Sequence, residues 1–121
     1  MLARQLEDEN GPVLVTVKYR IDGEDPAPFL SAIEDVGDQR RRDGAYAWGI
    51  FEDGGEKGLY LETFLIEHWL EAKHLRERVT NADRLREDYV HGLVKGAPEV
   101  TLMIASDLHR RTSNRVAVAA A

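Results

Sequence analysis

Over residues 13–21 apolar and polar side chains alternate, with Val13, Val15, Val17, Tyr19 and Ile21 on one parity and Leu14, Thr16, Lys18 and Arg20 on the other. A period of two marks a strand with one covered face. The period then changes. Asp25 followed by Pro26 is a helix start, because the carboxylate accepts from free amides and proline tolerates the first turn. Phe29, Leu30, Ile33 and Val36 continue it at three-to-four spacing until Gly44. A second strand is expected over 45–52 and a third over 59–67, joined by Asp53-Gly54-Gly55-Glu56-Lys57-Gly58, a glycine-rich connection that reads as a hairpin loop.

From Trp69 the spacing is again helical. Thr80-Asn81-Ala82-Asp83 resembles a capping box that ends one helix and starts another, with Leu75, Val79, Ala82, Leu85, Tyr89 and Leu93 as the apolar line along the pair. Gly96-Ala97-Pro98 breaks the pattern, and a last strand follows over 100–105. The order β-α-β-β-α-β predicts an α+β, ferredoxin-like fold, both helices lying on one face of a four-stranded antiparallel sheet. One domain over 1–121 is expected, its core at about 11–105 and its ends, roughly 1–10 and 107–121, loosely held.

The opposite sheet face carries too much bulk to stay wet. One parity of the second strand shows Tyr46, Trp48 and Ile50, and the third has Phe64 and Ile66 on one parity and Leu59, Leu61 and Leu65 on the other. A large uncovered apolar face is rare in a monomer, so a second copy of the chain, an apolar ligand, or both are expected to cover it.

Composition narrows the chemistry. The chain holds 121 residues with 22 acidic and 16 basic side chains, a net charge of −6, and no cysteine, which removes disulfides, thiolate metal sites and a cysteine nucleophile. An acidic balance argues against nucleic acid as a partner. The basic exceptions, Arg40-Arg41-Arg42 and the tail Arg110, Arg111 and Arg115, read as solvated surface. The opening nine residues are too acidic for a signal peptide, and the longest purely apolar stretch, 116–121, is far short of the roughly twenty residues of a bilayer span. A cytoplasmic location is expected.

Several short stretches together carry a family resemblance. They are Gly-Pro-Val-Leu-Val-Thr-Val-Lys-Tyr-Arg-Ile-Asp over 11–22, Arg41-Arg42-Asp43-Gly44-Ala45-Tyr46, Trp48-Gly49, Tyr60-Leu61-Glu62-Thr63-Phe64, and Glu77-Arg78-Val79-Thr80-Asn81-Ala82-Asp83. Over about residues 8–105 the chain resembles the soluble C-terminal domain of one branch of major facilitator permeases, the transmembrane secretion effectors related to enterobactin exporters. That domain is in turn similar to the dimeric α/β-barrel superfamily, which includes antibiotic biosynthesis monooxygenases and haem-degrading monooxygenases. The resemblance implies a homodimer, an apolar or aromatic ligand and an association with a membrane transporter. It also implies histidines three and seven residues after a Ser-Trp pair. Here His68-Trp69 is followed at those offsets by Ala72 and Arg76, and Val79 stands where haem-degrading relatives place their ligand.

Candidate chemistry is sparse. Tyr46, Trp48, Phe64 and Trp69 offer flat walls suited to a planar guest, although aromatic clusters also serve as plain core or dimer contact. Glu62, between Leu61 and Thr63, becomes a candidate base if buried, and an ordinary ion pair if Lys18 or Arg20 reaches it across the sheet. His68, Glu71 and His74 fall at i, i+3 and i+6, a spread around a helix that favours ion pairing over metal. Glycines 54, 55 and 58 lack the helix and Gly-Lys ending of a phosphate loop, and Ser31, Ser106 and Ser113 lack a nucleophile-elbow context. No cofactor and no metal are expected. The expected ligand-binding set is Tyr46, Trp48, Glu62, Phe64, His68, Trp69 and His74. Two functions fit this reading: a dimeric α/β-barrel module that binds a small molecule or contacts a transporter without catalysis, and a cofactor-independent monooxygenase acting on an aromatic substrate.

Overall fold

A computed structural model describes residues 7–80 and 92–106. Strand β1 spans Val13–Arg20, helix α1 Ala27–Arg42, β2 Tyr46–Glu52, β3 Leu59–Ile66, helix α2 Trp69–Thr80 and β4 Glu99–Ile104. All pairings are antiparallel and the strand order is β2-β3-β1-β4. This is the ferredoxin-like α+β arrangement that the periodicities predict. Asn81, Ala82, Asp83, Leu85 and Tyr89, and the tail arginines, lie outside the described residues.

Alternation in β1 fixes which side is core. Val13, Val15, Val17 and Tyr19 are buried under the helices, as are Tyr60, Glu62, Phe64 and Ile66 of β3. The register sets Val17 opposite Glu62 and Lys18 opposite Leu61, so the glutamate shares the helix-covered face while both basic residues of β1 lie on the other. Phe29, Ile33 and Val36 of α1 and Ala72, Leu75 and Val79 of α2 close the layer. Each large side chain so buried contributes about 1.5–3 kcal/mol relative to exposure. Phe29 meets Tyr19 edge-on at 5.5 Å and Tyr60 at 5.1 Å.

Helix α1 opens one residue later than expected, with Pro26 as its cap residue, while the hairpin forms as expected. The Asp25 carboxylate accepts from the Ala27 amide at 3.0 Å. In the β2–β3 hairpin, Asp53 Oδ2 accepts from the amides of Gly55 and Glu56, and Gly58 closes the turn at φ +85°, a conformation that glycine alone adopts freely.

Three expectations are corrected. Tyr46, Trp48 and Ile50 do not share a face: a bulge lies between Tyr46, opposite Leu65, and Gly49, opposite Thr63, with Ala47 at φ +52°. The extra residue reverses the parity, leaving Tyr46 on the open face and turning Trp48 and Ile50 toward the core. Second, residues 7–10 are held, because their backbone carbonyls satisfy the free amides at the start of α2: Trp69 N–H donates to Asn10 O at 2.7 Å and Leu70 N–H to Asp8 O at 3.1 Å. Third, Arg40 is not solvated surface. It lies one turn beyond Val36 on the apolar stripe of α1 and is 5% exposed.

Candidate functional site

The buried polar residues of the helix layer converge on one carboxylate. Glu62, 0% exposed, receives Arg40 Nε on Oε2 at 3.0 Å and Arg40 Nη2 on Oε1 at 3.2 Å. Tyr19 donates its hydroxyl to Oε1 at 2.9 Å, and Trp48 donates Nε1 to Oε2 at 2.8 Å. A charge taken out of water is tolerable only when paired and hydrogen-bonded, and four donated bonds from three side chains meet that condition. Lys18 and Arg20, the expected partners of Glu62, pair instead with Glu99 at 4.0 Å and Glu56 at 2.9 Å.

Trp48 reaches Glu62 because α1 makes room. A Cβ on Gly37 would stand 2.6 Å from the indole Cε2, so only glycine lets the ring slide between helix and strand. Arg41, at 5.1 Å over the same ring, seals it from outside while pairing with Asp38 at 2.9 Å. Arg40 also lies 5.4 Å from the Phe64 ring centroid, so both cationic contacts of α1 rest on aromatic surface.

Beyond the network, between the C-terminal end of α1, the end of β3 and α2, a cavity of about 220 Å³ opens. Phe64, Ile66, Leu75 and Ala45 form its apolar wall, and Arg40, Asp43, Glu71, His74 and Arg78 supply its polar groups. Asp43, Glu71 and His74 are exposed, Arg40 is buried, and Arg78 is half-buried. A wider hollow of about 350 Å³ lies at the hairpin end of the open sheet face, around Phe51, Leu59 and Leu61.

Of the sequence-derived candidates, Trp48, Glu62 and Phe64 come together inside the helix layer, and Phe64 and His74 line the cavity. Tyr46 is 41% exposed on the other face and donates to Glu67 at 3.0 Å. His68 is exposed, its Nδ1 3.2 Å from Glu9 O. Trp69, half-buried, packs against the core at the start of α2. Among the described residues no group of three or more histidine, aspartate or glutamate side chains is arranged to hold a metal. Tyr19, Arg40 and Arg78 escaped sequence reasoning. The signal for Arg40 was its place on the α1 stripe; that for Tyr19 was its shared parity with the β1 core.

The fold defines a class. The structure is similar to a provisionally assigned antibiotic biosynthesis monooxygenase from Caulobacter crescentus CB15, with TM-score 0.66, 17% identity, and coverage of 83% of this chain and 94% of that one. A provisionally assigned antibiotic biosynthesis monooxygenase from Nitrosomonas europaea gives 0.65, at 13% identity, covering 84% and 97%. SnoaB, a cofactor-independent oxygenase from Streptomyces nogalater, gives 0.60, at 16% identity, covering 84% and 96%. At such identities the likeness establishes the shared fold. Over residues 1–112 the chain matches the family described as transmembrane secretion effector, and it belongs to that family. No curated protein matches it. Among the described residues no helix is long and apolar enough to cross a membrane.

Removing one partner of the buried pair leaves a charge without compensation. Arg40→Met should therefore cost about 3–5 kcal/mol in urea unfolding, and the Arg40→Met, Glu62→Gln double variant should lose less than the two single losses added together.

Burial first, and then the neighbouring Glu62 charge, hold the Tyr19 hydroxyl well above the usual 10.0. The folded state thus keeps a proton that the unfolded chain releases near pH 10. The resulting stability is complete below that pH and is lost as pH rises above it. In an alkaline titration followed by tyrosinate absorbance, Tyr19 should ionise only as the fold opens. Tyr19→Phe should abolish that late phase.

Proposed function

We propose that this chain is a dimeric α/β-barrel module that binds a small, largely apolar molecule in the cavity beneath α2 and serves a membrane transporter from the cytoplasmic side, without catalysis. The observation that carries this reading is the state of Glu62. Glu62, the one buried carboxylate among the described residues, is saturated by Tyr19, Arg40 and Trp48, so it has no acceptor capacity to spare for a substrate proton. What remains is a compact cavity with an apolar wall and a few polar groups, the usual make-up of a binding site. Membership of the transmembrane secretion effector family supports the transporter link.

Dimerisation rests on the open face. Phe51 and Met103 are 59% and 57% exposed, and Leu14, Leu59, Leu61 and Leu65 lie half-buried on the same side of the sheet. A second sheet packed face to face would cover this surface and close the barrel. The helix layer lies on the opposite side, so each protomer keeps its own cavity.

A second reading, a cofactor-independent oxygenase acting on an electron-rich aromatic substrate, is supported by the structural likeness to SnoaB. Oxygen uptake separates the two. With 1-naphthol as probe, calorimetry should detect binding while an oxygen electrode stays flat; turnover-linked oxygen consumption would select the oxygenase. Sedimentation equilibrium at micromolar concentration should give about twice the 13.7 kDa chain mass, and Leu61→Asp, which puts a charge on the open face, should give the single mass with the fold retained. A monomeric parent protein would overturn the barrel.

A further inference from the structure

Of the two guanidinium groups that line the cavity, one is paired and one is not among the described residues. Arg40 is matched by Glu62, whereas Arg78, one helical turn beyond His74 on α2, has no ion pair among the described residues. Its Nε is shut away from solvent and has no hydrogen-bond partner among the described residues. A covered guanidinium donor without an acceptor forfeits hydrogen bonding to water and gains nothing in return. It is also the fork-shaped group best matched to a planar oxyanion.

Resting on the binding reading above, we infer that the cavity is selective for small aromatic or alkyl monocarboxylates, held by the Arg78 guanidinium with the apolar body against Phe64, Ile66 and Leu75. The cavity is smaller than drug-sized pockets, which start at about 300 Å³, so a guest of one or two rings fits. The rim sharpens the choice. Asp43 and Glu71 are exposed at the opening, and His74 stands beside them, so a second carboxylate projecting outward from the guest would meet two like charges. One negative charge inward and a neutral or hydrogen-bond-donating outer end is the pattern that these five polar groups accept.

The test uses 2-naphthoate, its neutral isostere 2-naphthamide, and 2,6-naphthalenedicarboxylate, titrated calorimetrically into the full chain. The acid should bind at least tenfold more tightly than the amide and than the dicarboxylate. Arg78→Met should weaken the acid by about tenfold to a hundredfold, the range of a charge-assisted contact, and leave the amide unchanged. Arg78→Lys should restore part of the loss. Without probe, Arg78→Met should melt no lower than the parent protein, since an unpartnered charge has been removed. Equal affinity for acid and amide, or an acid affinity indifferent to Arg78→Met, would overturn the anion selectivity and leave the binding reading standing. Failure of all three probes to bind would overturn both. If Arg78→Met does not fold, the comparison of acid with amide in the parent protein still decides.

Discussion

Among the described residues, the polar groups on the helix-covered side of the sheet are arranged around the need to compensate one buried carboxylate. Glu62 sits on β3, an inner strand, where no water reaches it, and its two oxygens are met from three different elements: Tyr19 of β1, Arg40 of α1 and Trp48 of β2. Leaving out Arg40 would strand a charge in a dry interior, and leaving out Tyr19 or Trp48 would cost that charge one of its hydrogen bonds. The network therefore pins α1 to the sheet in one position, because Arg40 can form its two-pronged contact only if the helix neither slides nor rotates. Apolar packing of Phe29, Ile33 and Val36 alone would tolerate more freedom. Two departures from regular structure follow from the same requirement. The bulge at Ala47 turns Trp48 inward, and Gly37 leaves the gap through which its indole reaches the carboxylate.

The network also decides what the cavity can do. Arg40 and Phe64 belong to both, so the cavity begins where the compensated charge ends. Because Glu62 is committed to structure, the polar character of the cavity comes from α2 and the end of α1, through Arg78, His74, Glu71 and Asp43. A likeness of fold to oxygenases carries over the sandwich that encloses such a space; the chemistry inside depends on these particular side chains. The same fold can therefore house an oxygenase in one chain and a binding module in another without any change of topology.

Much of this architecture is legible in the sequence, since alternation and helical spacing follow directly from which faces must be dry. The β1 parity, the α1 stripe and the glycine-rich hairpin predict the element order and the helix-bearing face. The site is less legible. Arg40 belongs to a run of three arginines, and local charge patterning makes all three look solvated; only the stripe running Phe29, Ile33, Val36 shows that the next inward position is 40. Glu62 could be placed by counting from Phe64 and Ile66, both on its parity, but its partner comes from a helix twenty-two residues earlier, and no local pattern announces such a contact. The bulge is harder still. One extra residue reverses the parity of everything before it, and a strand of seven residues leaves too few positions to detect the slip.

The third strand carries both halves of the functional reading. Tyr60, Glu62, Phe64 and Ile66 point into the helix layer, and Leu59, Leu61, Thr63 and Leu65 point out of it, so network and cavity lie on one side of a single strand and the proposed dimer surface on the other. A large apolar sheet face left in water is rare in a monomer, so the proposed dimer would serve the fold as much as the function. The two sides are mechanically joined through a backbone that cannot shift on one without shifting on the other. They are chemically separate, because the charged groups of β1 on the outer face, Lys18 and Arg20, pair there with Glu99 and Glu56, whereas the charged groups that line the cavity lie inside the helix layer or at its rim. A change confined to the outer face should therefore alter assembly first, and cavity chemistry only as far as β3 itself moves.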